Sequence, residues 1–257
     1  MHHRFVTDFR QYLHILFTTT KSSFKLRNEN SYLGVFWYLL GPLLTFSILL
    51  LVFSHRLGAN VERYPLYLLC GIVVWNFFSQ ATSRSLTAVM SRATLLKSLP
   101  LRRDVFVLSA VLDVFISHLF ELAIFLLFAV YYGVFSLTFF FFPLILLLQF
   151  FFVLGTGFIL SSLYFIFRDL GQIWSVVVRA WWFATPVFYA LHEGGPGEKV
   201  NMFNPMYHAI DLSRDVLVYN TLPSIASLLI LAGFAAVFFI VGYIVFHRIA
   251  PCFAEYV

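Results

Sequence analysis

Charged side chains are too scarce in this chain for a water-covered globule. Asp, Glu, Lys and Arg make up 11% of 257 residues and hydrophobic residues 61%, whereas soluble domains carry about 25% charge. With a mean hydropathy of +0.87, the composition is that of an integral membrane protein. Cysteine is nearly absent. Cys70 and Cys252 build neither a disulfide framework nor a metal-ligand spacing. A G-x-x-x-x-G-K-[ST] run is missing, because Gly155 and Gly157 continue into Phe158-Ile159-Leu160-Ser161; the chain offers no P-loop for ATP. It also has no H-E-x-x-H, no His/Cys cluster and no paired-aspartate loop, and His192-Glu193 is an isolated dipeptide beside glycines. No catalytic residue, bound metal or cofactor is therefore expected on this chain. His14, Lys21, Lys25 and Arg27 interrupt any apolar core in the first thirty residues, so no cleavable signal peptide is expected. No internal repeat is apparent, and inverted repeats mark many secondary transporters.

Long apolar runs are what the chain does have. A bilayer core of about 30 Å takes roughly 20 apolar residues in helix. Six segments qualify: 32–53, 64–83, 105–132, 138–167, 170–191 and 222–246. The runs are continuous rather than alternating, which favours helices over a barrel. The expected fold is an all-α integral membrane protein of six transmembrane helices over 32–257, preceded by an N-terminal arm over 1–31. Within the arm, Phe5, Phe9, Tyr12, Leu13 and Leu16 share one helical face, opposite Arg4, Asp8, Arg10 and Gln11. That pattern predicts an amphipathic helix lying in the inner interface or packed on a partner protein.

The net charge of +5 reflects orientation rather than affinity for nucleic acid. With the N-terminus inside, inner segments hold Arg4, Arg10, Lys21, Lys25, Arg27, Arg84, Arg92, Lys97, Arg102, Arg103, Arg168 and Arg248, while outer segments hold Arg56, Arg63, Lys199 and Arg214. This is the positive-inside pattern, and an even number of spans returns the C-terminus to the cytoplasm. Residues 192–221 form a long outer segment in which Met206, Ile210 and Leu217 are apolar and Asp211, Arg214 and Asp215 polar. It predicts one or two short re-entrant or capping helices.

Three formal charges fall inside spans: Asp113, Glu121 and Arg179. Each costs about 2.5–3.5 kcal/mol at mid-bilayer, so each must face the bundle interior, pair, or lie near an interface. Asp113, Ser117 and Glu121 form a stripe with His118 beside it, which reads as a proton relay or as the acid side of a structural pair with Arg179. Gly155 and Gly157 permit close helix approach. In the fifth span Trp174, Trp181 and Phe188 recur every seven residues, with Trp182 and Tyr189 on the adjoining line. Such a stripe serves helix packing, or it offers flat faces to the C–H faces of sugar rings.

Several ordered motifs converge on one family. Residues 28–42 carry Tyr32-Leu33-Gly34, Trp37 and Gly41-Pro42; then come Gly71-Ile72, Trp75 and Phe77-Phe78, Leu95-Leu96-Lys97 through Pro100 to Arg102-Arg103, Phe167-Arg168-Asp169-Leu170, Thr185-Pro186-Val187 with Tyr189, and Asn204-Pro205 with Arg214. Across essentially the whole chain this resembles ABC transporter permeases of the polysaccharide-export class, within the ABC-2 superfamily. The resemblance implies a half-transporter in the bacterial cytoplasmic membrane. Two copies would pair with two ATPase subunits that bind ATP and Mg, and would move a lipid-linked polysaccharide, O-antigen first and teichoic acid or capsule as alternatives. It further implies a channel lined by aromatics, here Trp37, Trp174, Trp181, Trp182, Phe188 and Tyr189. ATPase coupling would fall to Leu95, Lys97, Arg102, Arg103, Asp104, Arg168 and Asp169, and an outer gate to Asn204, Pro205, Tyr207 and Arg214. A proton-coupled transporter using Asp113 or Glu121 is the reading from a different class.

Overall fold

The computed structural model describes residues 2–29, 34, 36–56, 58, 61–92, 102–191 and 194–250, with backbone alone at 2–9 and 28. The expected coupling residues Leu95 and Lys97 lie outside the described residues, as do Tyr32, Leu33 and Pro100. Among the described residues all regular structure is helical: α1 (His2–Asn28), α2 (Phe36–Phe53), α3 (Tyr64–Thr87), α4 (Asp104–Tyr131), α5 (Phe142–Ile166), α6 (Leu170–Ala184), α7 (Pro196–Asn201), α8 (Pro205–Leu217) and α9 (Ile225–Ile249), with short 3-10 turns at Met90–Arg92 and Leu137–Phe141. Five of these helices are long and apolar enough to cross a membrane: α2, α3, α4, α5 with its leading turn, and α9.

The hydropathic segment 170–191 is not one helix. α6 stops after 15 residues at Ala184, short of the ~20 a span needs. The cause is local. A residue before proline is pushed out of the helical region, and Thr185, preceding Pro186, is extended at φ −91, ψ 136. The apolar run continues through 187–191 in an irregular turn.

α3 is the hub: 78% of its apolar window is buried, against 11% for α2. It packs on α4, α5 and α8. α5 and α9 form the tightest helix pair. A Cβ on Gly155 would collide with the Phe238 and Phe239 backbone, and one on Gly242 would lie 3.0 Å from the Gly155 carbonyl carbon. A Cβ on Gly157 would lie 2.7 Å from the Ser85 hydroxyl oxygen of α3. The expected close approach at this glycine pair is therefore present, with a glycine on α9 as its counterpart.

α1 lies against α4. Its inward stripe is Tyr12, Leu16, Thr20, Ser23 and Arg27, spaced at three and four residues as one helical face requires. The start of α4, the end of α9 and α1 meet at one end of the bundle. There Tyr12 Oη donates to Asp104 Oδ2 at 3.5 Å, and Arg103 donates to the Ala250 carbonyl. The opposite end carries the short helices α7 and α8, with α8 packed on α3, α5 and α9.

Candidate functional site

Three places bring polar groups together. The first is at the α1 end. Asp113, 1% exposed, is flanked by Arg27 of α1 at 3.1 Å and Arg84 of α3 at 3.2 Å. Arg27 also donates to the Ser117 hydroxyl and lies 4.4 Å from the Tyr38 ring centroid. Nearby, Arg92 bonds Ser109 at 3.4 Å and Ser23. One buried carboxylate thus ties the arm to two helices of the bundle. The sequence-based pairing of a fourth-helix acid with Arg179 is corrected here. Asp113 takes Arg27 and Arg84, and Glu121 accepts from Asn76 at 3.5 Å and Gln80 at 3.3 Å. His118 does not join them; its ring stacks on Phe77 with centroids 5.0 Å apart. The arginines were visible as inner-side positive charge, but nothing in the sequence joins positions 86 and 29 residues apart.

A second group sits beside it at the same end. Arg102 bonds Asp104 at 2.8 Å and covers the Tyr12 ring at 4.8 Å. Burial and the Asp104 carboxylate push the Tyr12 phenol up to about 12, so it remains a donor at any physiological pH. Arg168 and Asp169 are exposed in the turn between α5 and α6.

The second place is the capped end. Asn204 N-caps α8: its Oδ1 accepts from Met206 N at 3.1 Å, a favoured cap arrangement. The same oxygen accepts from Trp181 Nε1 at 3.0 Å, and its Nδ2 donates to Thr185 Oγ1 at 2.9 Å. Pro205 occupies the first turn of α8, where no backbone donor is missed, and Tyr207 meets His208 edge-on with centroids 5.2 Å apart. Arg214, 3% exposed, donates to the carbonyls of Tyr67 at 3.3 Å, Pro186 at 2.8 Å and Val187 at 2.7 Å. Its guanidinium also lies 3.3 Å from the Tyr67 ring centroid. The cap is thereby fastened to α3 and to the turn that ends α6. Gly71 makes room for this clamp, since a Cβ there would lie 2.6 Å from Val187 O and 2.7 Å from Arg214 Nη2. The sequence marked Gly71 as part of a motif without revealing this reason.

The cap also carries a titrating carboxyl. Burial, with Asp211 nearby, pushes Asp215 from 3.8 up to about 6. Burial raises Asp211 too, against Arg214 and His208. The folded protein holds the Asp215 proton more tightly than the unfolded chain does. Its stabilisation is therefore complete below about pH 4 and is lost as pH rises through about 6. The thermal midpoint in detergent is expected to fall across that window, and Asp215→Asn to flatten the fall. An equal slope in both proteins contradicts the assignment.

The third place is a recess of ≈ 380 Å³ between α2, α3 and α6, lined by Thr45, Asn76, Ser79, Ser83, Ser175, Arg179 and Trp182 among others. The expected aromatic stripe divides here. Trp174 and Trp181 turn toward α3: Trp174 Nε1 donates to Thr82 at 3.3 Å, and Trp181 packs edge-on against Trp75 and Phe78. Trp182 lines the recess. Phe188 is buried against Phe53 and Trp182, Tyr189 Oη donates to the Phe183 carbonyl at 3.0 Å, and Trp37 is 52% exposed on α2. The polar wall of α3 was missed, although Asn76, Ser79 and Ser83 repeat at three and four residues within an apolar helix and so mark one face.

Together these features define a multi-pass helical membrane protein with a clamped cap at one end and a charged knot at the other. The profile of the ABC-2 type transporter family matches residues 15–218, and the chain belongs to that family of transporter membrane components. It is 27% identical to the O-antigen export system permease protein RfbA of Myxococcus xanthus, over 98% of each chain. It is 28% identical to a protein of the same description from Klebsiella pneumoniae over 94% of each, and 25% identical to the polysialic acid transport protein KpsM of Escherichia coli over 82% and 83%.

Proposed function

We propose that this chain is the permease subunit of an ATP-driven exporter that moves a lipid-linked polysaccharide, O-antigen first, across the bacterial cytoplasmic membrane. The observation carrying the proposal is the end-to-end similarity to O-antigen export permeases. The similarity to a polysialic acid transport protein makes capsular polymer the second substrate reading, ahead of teichoic acid. Two copies pair with two ATPase subunits, which bind ATP and Mg. Both termini face the cytoplasm, with the Asp113 knot at the inner end and α8 outside. α6 completes the sixth crossing with the turn that follows it. The exposed faces of α2 and α6, with Trp37 and Trp182, border the path; Arg102, Arg103, Asp104, Arg168 and Asp169 lie where an ATPase docks; the Asn204 and Arg214 clamp holds the outer gate.

The experiment is polymer export in cells lacking the native permease. Export should return only when the chain and a cognate ATPase are both present, and should survive a protonophore at constant ATP. Export that collapses with the proton gradient and ignores the ATPase supports a proton-coupled carrier instead. In the assembled complex, Arg102→Ala with Arg103→Ala is expected to keep ATP hydrolysis while export falls roughly tenfold, the scale of a ~1.4 kcal/mol coupling change. Undiminished export per ATP removes these residues from the coupling path.

A further inference from the structure

Arg179 is the strongest unmatched feature of the molecule. It lies nine residues beyond Leu170, the first residue of α6, about 14 Å along the helix. It is exposed on the open side of the bundle and makes no ion pair among the described residues. A guanidinium stays charged under all accessible conditions, and a charge at membrane depth belongs in a water-filled path or beside a partner. The groups that share its recess are Asn76, Ser79, Ser83, Ser175 and Trp182. The Ser79 and Ser83 hydroxyls donate to no other group among the described residues. Asn76 is oriented from behind by Glu121 at 3.5 Å.

We infer that this recess binds an oxyanion, a phosphate or carboxylate group carried by the transported molecule. A fixed cation with hydroxyl donors beside it matches that chemistry: guanidinium bonds to phosphate or carboxylate are charge-assisted and frequently bidentate, and serine hydroxyls complete the shell. An indole at the rim adds a flat apolar face for the carbon skeleton next to the anion. The volume of ≈ 380 Å³ falls within the range of small-ligand pockets. The inference rests on the exporter reading and names the group that the path recognises. Two parts of a lipid-linked polymer carry such a group: the diphosphate joining polymer to lipid, and acidic sugars within the polymer itself.

The test is equilibrium binding to the purified full-length protein in lipid nanodiscs, without ATPase and without transport. The probes are undecaprenyl diphosphate, tetragalacturonate and the neutral maltotetraose. Wild type is expected to bind at least one anionic probe more tightly than maltotetraose. Arg179→Gln should weaken that binding by about tenfold or more, the loss of one charge-assisted contact, and Arg179→Lys should restore part of it. Dependence with undecaprenyl diphosphate assigns the lipid headgroup, and dependence with tetragalacturonate assigns the sugar chain. Equal binding of every probe by wild type and an Arg179→Gln protein that elutes as wild type overturns the inference, as does preference for maltotetraose. If export fails in the cellular test while Arg179-dependent binding persists, the exporter reading falls and the anion site stands. If export proceeds and binding ignores Arg179, the reverse holds.

Discussion

Asp113→Ala is expected to destabilise the protein by on the order of 3 kcal/mol and to release the N-terminal helix. Its carboxylate is buried, and two arginines from different helices converge on it. Removing one side of a buried charge pair costs more than the pair contributes, because the remaining charge stays behind without a partner. Here two positive groups are left, with Arg92 a further cation that this carboxylate acts on, so mutual repulsion adds to desolvation. Arg27 has the most to lose, since its side chain is 14% exposed where that of Arg84 is 41% exposed. The expected sequence of events is detachment of the last turns of α1, followed by local unfolding that lets trypsin cut after Lys21 and Lys25, whose side chains are already exposed. Asp113→Asn keeps the shape and one acceptor and should fall between the alanine variant and wild type. The measurements are the thermal midpoint in detergent and the rate of tryptic cleavage in α1. A midpoint and cleavage rate equal to wild type for Asp113→Ala would show that the knot does not hold the arm.

The second large effect is expected at the contact of α5 with α9. Gly242→Val should prevent accumulation of folded protein at 37 °C. A side chain at 242 meets the backbone of Gly155, and one at 155 meets the backbone of residues 238 and 239. No rotamer change relieves a clash with backbone, so two helices must separate along their length. Overpacking of this kind costs about 1–3 kcal/mol or more, and separation also forfeits the contacts of Phe238 with Phe152 and Phe239 with Phe151. Gly233→Val is the control, because nothing lies within 4 Å of a Cβ there. Membrane yield and size-exclusion profile of the two variants should diverge. Matched yields would mean that α9 can shift without loss.

Much of the fold was legible because hydropathy reports burial in lipid directly. The apolar segments at 64–83 and 105–132 became α3 and α4 nearly as drawn, and Gly155 with Gly157 marked close helix contacts. The errors came where hydropathy and helix part company. Residues 187–191 are as apolar as a span, so the run appeared continuous through Pro186, although that proline was in plain view. The candidate site was less legible. Asn204 entered as a gate residue and its capping of α8 emerged only from the structure; the carbonyls that satisfy Arg214 come from Tyr67, Pro186 and Val187, and no local pattern encodes them. Trp174 and Trp181 carried the expected spacing, and that spacing proved to serve contact with α3. Trp182, one position on, reached the recess. A heptad of aromatics identifies a face without saying what the face meets.

The brevity of α6 has a consequence for the lipid around it. Fifteen helical residues rise about 22 Å, and the hydrocarbon core is about 30 Å thick. Where α6 and the turn that follows it make the crossing proposed above, the depth beyond Ala184 is covered by irregular backbone, which the bilayer accommodates by thinning or by letting water in. A hydrophilic chain passing along this side would therefore meet a low-dielectric barrier about a quarter thinner than the full hydrocarbon core. Lengthening α6 by one turn before Thr185 would restore the full thickness, and with it the full electrostatic penalty for any charged group that has to cross.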